Sequence, residues 1–149
     1  MKIIAVTLGE PAGIGPDLGV LLAQKNLSKN IIFIADPDLL QISAKILKKS
    51  IKINILKNIS SKTIAGNKTI NVLPIKLNTK NKPGKLNPKN SAYVLDTIRA
   101  AAELCITGEI GAMVTGPISK SVLNKGGYKI SGHTEFLADI CKTKSVMML

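Results

Sequence analysis

Two short β-branched runs, Lys2-Ile3-Ile4-Ala5-Val6-Thr7-Leu8 and Ile31-Ile32-Phe33-Ile34-Ala35, are each followed by turn residues and then by apolar residues at helical spacing. This alternation limits the possible folds more than any other feature of the chain. A run that is apolar at nearly every position, not every second one, reads as a strand buried on both faces. Helices between such strands make crossover connections, so the strands lie parallel and the crossovers are right-handed. The expectation is an α/β domain with a mostly parallel sheet flanked by helices.

The remaining elements follow from local signals. The turn Gly9-Glu10-Pro11-Ala12-Gly13-Ile14-Gly15-Pro16-Asp17 leads into a helix, with Pro16 suited to its first turn and Leu18, Leu21, Leu22 and Lys25 at helical spacing. Asp36-Pro37 opens a second helix through about Lys49, with Leu39, Ile42, Ile46 and Leu47 as its apolar stripe. Ile51, Ile53 and Ile55 alternate with polar residues and predict a half-exposed strand, and residues 69–73 predict another. Residues 76–90, rich in Lys, Asn, Pro and Gly, read as a solvated surface loop. Val94, Ile98, Ala101 and Cys105 repeat along a helix over 91–107, which Gly108 ends. Ala112 to Thr115 reads as a short buried strand. A helix from about Ile118 to Asn124 follows, and another begins near Gly132 with Phe136, Leu137 and Ile140 on one face. The closing Val146-Met147-Met148-Leu149 reads as an apolar strand that a sheet would continue to wrap, so residues 1–149 are expected to be the N-terminal part of a longer protein, apparently truncated.

Composition narrows the class. A length of 149 residues fits one domain. With 45% hydrophobic residues but only 3% aromatic, the core must be built from Ile, Leu, Val and Ala. No apolar run reaches the ~18 residues of a membrane span, and the first strand turns too early for a signal peptide, so a cytoplasmic protein with no membrane partner is expected. The net charge of +12 suggests nucleic acid at first sight. All basic residues but Arg99 are lysine, however, and no aromatic platform accompanies them, so nucleic acid is not the expected partner. Cys105 and Cys141 are too few for a disulfide framework or a CxxC metal site, and both read as buried small residues.

Three places invite chemistry. The loop from Gly9 to Asp17 joins strand to helix, where backbone N–H groups favour anions. Its G-x-x-x-G-x-G spacing is not the dinucleotide fingerprint, and Glu10 opposes a phosphate beside it. Gly111 to Gly116 has the spacing of a phosphate loop, but Pro117-Ile118 stands where Lys-Ser or Lys-Thr would be needed. Lys120 lies just past a strand's carboxyl end, where open α/β sheets place ligands; a plain surface lysine is the blander reading. His133, the single histidine, cannot form a metal cage alone. Either it faces the core with its nitrogens bonded to backbone, or Gly132-His133-Thr134 opens a helix at a cleft and offers an imidazole, a hydroxyl and free N–H groups together. Glu135 and Asp139 repel each other and read as solvent-facing.

Taken together, GEPAGIGPD at 9–17, VTGPISK at 114–120, SGHTEFLAD at 131–139 and the closing VMML resemble the 4-hydroxythreonine-4-phosphate dehydrogenase family of pyridoxal phosphate biosynthesis. The first block is also similar to a turn of isocitrate and isopropylmalate dehydrogenases, and the resemblance implies that α/β architecture. It further implies NAD(P)-dependent oxidation of the C3 hydroxyl of 4-phosphooxy-L-threonine, giving a β-keto acid that decarboxylates to 3-amino-2-oxopropyl phosphate. It implies NAD or NADP, a divalent metal such as Zn, Mg or Co, and a homodimer. His133 and Thr134 are the substrate contacts it carries over; Lys120, by its place past a strand's carboxyl end, is a weaker candidate for holding an anionic group. The family's metal-binding histidines lie beyond this chain, so no metal or nicotinamide residue is assigned here and the segment alone is expected to be inactive. A paralogue acting on 4-phosphothreonate and a noncatalytic remnant are the alternative readings.

Overall fold

The computed structural model describes residues 2–27, 30–63 and 66–144. Five strands form one all-parallel sheet: β1 (Ile4–Thr7), β3 (Ile31–Ala35), β4 (Lys52–Ile55), β6 (Thr69–Pro74) and β7 (Ala112–Thr115), in the order β4-β6-β3-β1-β7. A two-stranded antiparallel ribbon, β2 (Asn26–Leu27) with β5 (Gly66–Asn67), stands apart from it. From β1 the chain steps outward to β3 and β4, returns to fill the gap with β6, and then crosses to the far side of β1 as β7. The direction of winding therefore reverses at β1, and in open parallel sheets the crevice at such a reversal takes the ligand.

Helices cover both faces. On one, α1 (Gly15–Ala23) and α2 (Pro37–Ile46) pack on Phe33, Ala35, Ile70 and Val72. On the other, α3 (Ser91–Ile106) packs Ala101 over Ala5, Ile32 and Ile34, while its Ile98 joins Leu39, Tyr93 and Leu123 in a neighbouring cluster. The short helices α4 (Lys120–Lys125) and α5 (His133–Ile140) lie on that side too, and the Arg99 guanidinium sits 5.6 Å over the Phe136 ring. β3 runs through the middle with Ile32, Phe33 and Ile34 fully buried, each contributing ~1.5–3 kcal/mol by burial.

Five expectations need correction. In α1 the buried face is Gly15, Pro16, Gly19, Val20 and Ala23, whereas Leu18, Leu21 and Leu22 point outward. A Cβ on Gly19 would stand 3.1 Å from Leu8 Cδ2, so the helix lies too close to the sheet for its leucines to face inward. In α2, Leu39 and Leu40 face inward while Ile42 and Ile46 are exposed. Its N-terminus is as expected, Asp36 accepting from Asp38 N–H at 2.8 Å with Pro37 following. β7 is not buried: Ala112 and Val114 are exposed, and among the described residues it pairs only with β1. Of the cysteines, Cys105 is half-buried and Cys141 exposed, and both are free, so neither is the fully buried residue expected. Residues 76–90 do not float: Leu77 N–H donates to Asp36 Oδ2 at 2.8 Å, and Asn90 is buried. Val146 to Leu149 lie outside the described residues.

Candidate functional site

β1 and β7 carry their chains to the same rim, and two glycine turns meet there. Gly116 N–H donates to the Thr7 carbonyl at 2.8 Å and Glu10 N–H to the Pro117 carbonyl at 2.9 Å. Gly9 takes a left-handed φ of 70° and faces the Gly116 and Pro117 backbone so closely that any Cβ would collide with it. The loop from Gly9 to Asp17 then folds on itself. Ala12 N–H donates to Glu10 Oε1 at 3.1 Å and Gly13 N–H to the Glu10 carbonyl at 3.0 Å. Two N–H groups of this loop are therefore engaged internally and that of Glu10 is taken by Pro117, which weakens the loop's reading as an anion cradle. Glu10 is buried, and burial pushes its carboxyl pKa up, partly offset by the Ala12 hydrogen bond.

The structure brings Lys120 and His133 to the β7 side of this rim. His133 is the first residue of α5, after an extended Gly132, and Lys120 is the first of α4. Gly132 is buried, and a Cβ placed on it would stand 3.4 Å from Lys120 Nζ and 3.3 Å from Glu135 Oε2. The bare glycine thus admits the ammonium to the start of α5. His133 is half-buried, and its Nε2 is buried with no hydrogen-bond partner. Its pKa lies below the ordinary 6.5: burial lowers it, the adjacent Gly116 backbone raises it, and the Lys120 charge lowers it. The imidazole is therefore neutral at pH 7, with an unsatisfied nitrogen beside a cation. Thr134 is half-buried in the same first turn, and Glu135 and Asp139 are exposed as expected.

Two features escaped sequence reasoning. Gly116 is the backbone neighbour of the His133 ring, although only its turn was visible in VTGP. Thr7 is 1% exposed and its Oγ1 has no hydrogen-bond partner, which no spacing signals. By register Thr7 pairs with Thr115, and it shares a sheet face with Ala5, the face α3 covers. A cavity of about 370 Å³ at the ends of β3 and β6 shares no lining residue with the His133 group, and its Lys76 is already paired with Asp36 and Asp38. A second, about 210 Å³, lies between α1 and the ends of β1 and β7. Among the described residues no group of three or more His, Cys, Asp or Glu could hold a metal.

An open parallel sheet that gathers an imidazole, an ammonium and two glycine turns at the carboxyl ends of its strands has the architecture in which α/β enzymes of small molecules place their ligands. Residues 27–149 match the family described as pyridoxal phosphate biosynthetic protein PdxA, and the chain belongs to that family. It is 43% identical over 147 residues to the 4-hydroxythreonine-4-phosphate dehydrogenase of Saccharophagus degradans, covering 99% of this chain and 44% of that protein. Against the enzyme of the same name from Methylococcus capsulatus it is 42% identical over 148 residues, covering 98% of this chain and again 44% of that protein. The crystal structure of the Klebsiella pneumoniae 4-hydroxythreonine-4-phosphate dehydrogenase superposes with a TM-score of 0.87 at 29% identity, over 97% of this chain and 46% of that one. The chain thus spans less than half the length of the relatives it matches. No helix among the described residues is long and apolar enough to cross a membrane.

Proposed function

We propose that this chain contributes the substrate-facing half of a 4-hydroxythreonine-4-phosphate dehydrogenase, acting in the cytoplasm as a homodimer. The reaction is oxidation of the C3 hydroxyl of 4-phosphooxy-L-threonine, followed by loss of CO2 to give 3-amino-2-oxopropyl phosphate. NAD or NADP supplies the hydride acceptor. The observation that carries the reading is the neutral His133 ring, with a buried, unpartnered Nε2, held beside Lys120 at the sheet's carboxyl rim.

In this reading His133 hydrogen-bonds a polar group of the substrate, and Lys120 attracts its phosphate or carboxylate as a point charge. Thr134 adds a hydroxyl from the same helical turn. The Gly9 to Gly15 loop forms the cleft wall and does not grip phosphate, since its Ala12 and Gly13 N–H groups serve its own turn and that of Glu10 bonds the Pro117 carbonyl. The described side chains do not form a set that fits the divalent metal implied by the family resemblance, so no metal step is assigned to them.

The test uses the protein as its gene encodes it, with 4-phosphooxy-L-threonine and NAD+ or NADP+. His133→Ala should lower kcat/KM more than tenfold, equivalent to more than ~1.4 kcal/mol of transition-state binding. A smaller loss would falsify the contact. Faster turnover of 4-phosphothreonate would assign the site to that substrate instead.

A further inference from the structure

The Lys- and Asn-rich segment between β6 and α3 reads in sequence as a solvated loop, yet it is fastened at both ends. At its base Thr79 donates its N–H and hydroxyl to Asn90 Oδ1 at 2.9 and 3.0 Å, and Asn87 Nδ2 donates to Thr79 Oγ1 at 3.0 Å. Asn90 is 2% exposed, so the base is anchored in the core at the start of α3. At the tip a turn closes through Lys85 N–H to the Lys82 carbonyl at 2.9 Å. From that turn Gly84 N–H donates to the Ala12 carbonyl at 2.8 Å, and Asn81 Nδ2 donates to the Pro11 carbonyl at 2.7 Å. Two consecutive carbonyls of the glycine loop are held by one segment. On its other flank the same loop is held by Pro117, whose neighbour Gly116 lies against the His133 ring.

We propose that residues 79–84 are a strap that sets the glycine loop before ligand arrives, and that Asn81 is its positioning residue. The kinetic part of this proposal rests on the dehydrogenase reading above. A loop with glycines at 9, 13 and 15 has many accessible conformations, and ordering it only on binding would weaken affinity. The strap removes that cost in advance. It acts on the fit of the anionic hydroxy acid and not on the chemical step, so its loss raises KM and leaves kcat near its original value.

Asn81→Ala removes the donor without adding charge, and Asn81→Gln keeps an amide on a longer stem. Hydrogen exchange over residues 9–17 and steady-state kinetics are read on the protein as its gene encodes it. Asn81→Ala should speed exchange in that segment by roughly fivefold or more while the rest of the domain keeps its protection. KM for 4-phosphooxy-L-threonine should rise about fivefold with kcat within about twofold, and Asn81→Gln should lie closer to wild type in both readouts. Unchanged exchange at 9–17 overturns the strap whatever the activity. Exchange raised equally everywhere makes Asn81 a general stabiliser and overturns it too, and faster local exchange with an unchanged KM overturns its role at the site. If the wild-type protein does not oxidise 4-phosphooxy-L-threonine, the dehydrogenase reading falls, while the exchange data still decide the strap.

Discussion

Replacing Gly116 with alanine probes the close approach of the two turns on which the site is built. Gly116 keeps φ outside the left-handed region, so alanine brings no backbone strain there. The whole penalty is contact. An added Cβ would lie 2.6 Å from the Leu8 carbonyl carbon and 3.1 Å from Gly9 N, where ordinary contacts begin near 3.4 Å. Relief requires the end of β7 to withdraw by about 0.8 Å, because backbone cannot rotate out of the way as a side chain can. The 2.8 Å bond from Gly116 to Thr7 would then exceed hydrogen-bond length, and the Glu10 to Pro117 bond would loosen with it. Two lost hydrogen bonds at ~1 kcal/mol each, added to a typical overpacking cost, place the destabilisation at about 3–5 kcal/mol. Urea unfolding measures this directly. Gly108→Ala is the control, since Gly108 has φ of 76° and nothing within 4 Å of its Cβ position, so its cost is strain alone, ~1–2 kcal/mol. If Gly116→Ala costs no more than Gly108→Ala, the rim is not the rigid junction described.

Thr7→Val replaces a buried hydroxyl that has no partner, so stability should stay level or rise by up to ~1 kcal/mol in thermal unfolding; a loss above ~1 kcal/mol would show that the hydroxyl is hydrogen-bonded in solution. His133 has a folded-state pKa below its ordinary 6.5, so between those two values the unfolded chain binds more protons and stability rises with pH. Its contribution is intact above 6.5 and is lost as pH falls through that window toward the folded pKa. Urea unfolding across that range should show a slope that His133→Asn flattens, and a variant with the wild-type slope would refute the assignment.

How much of this was legible depended on the kind of interaction. Ile31 to Ala35 announced a doubly buried strand because both faces must be apolar, and Val94, Ile98 and Ala101 announced α3 because its opposite face is polar. The face of α1 was misread because the helix is apolar on more than one side, and periodicity cannot say which side is pressed against Leu8. β7 was read as buried because an apolar run looks the same at the centre and the margin of a sheet. The strap was missed because its grip runs through Asn81 and the Gly84 N–H, residue types that compositional reasoning assigns to solvent. Lys120 and His133 are 13 positions apart, and their approach at Gly132 depends on where α4 and α5 land. Spacing could not show that approach, although Lys120 was a candidate from its place past a strand's carboxyl end and His133 from the resemblance.

The two margins of the sheet differ in a way that governs how the domain behaves in company. At β4 an exposed Lys52 sits on the outer strand, and Asn54 Nδ2 reaches the Lys62 carbonyl at 3.0 Å, so charge and a folded-back segment discourage further pairing. At β7 the residues are Ala112, Met113, Val114 and Thr115, with no charge among them and the outward Leu18 and Leu22 of α1 alongside. Among the described residues the sheet is therefore open to further pairing at its β7 margin alone. Residues 1–149 expressed alone at high concentration would associate by strand addition at β7, and any polypeptide laid along that strand would find a ready hydrogen-bonding ladder with an apolar shoulder beside it.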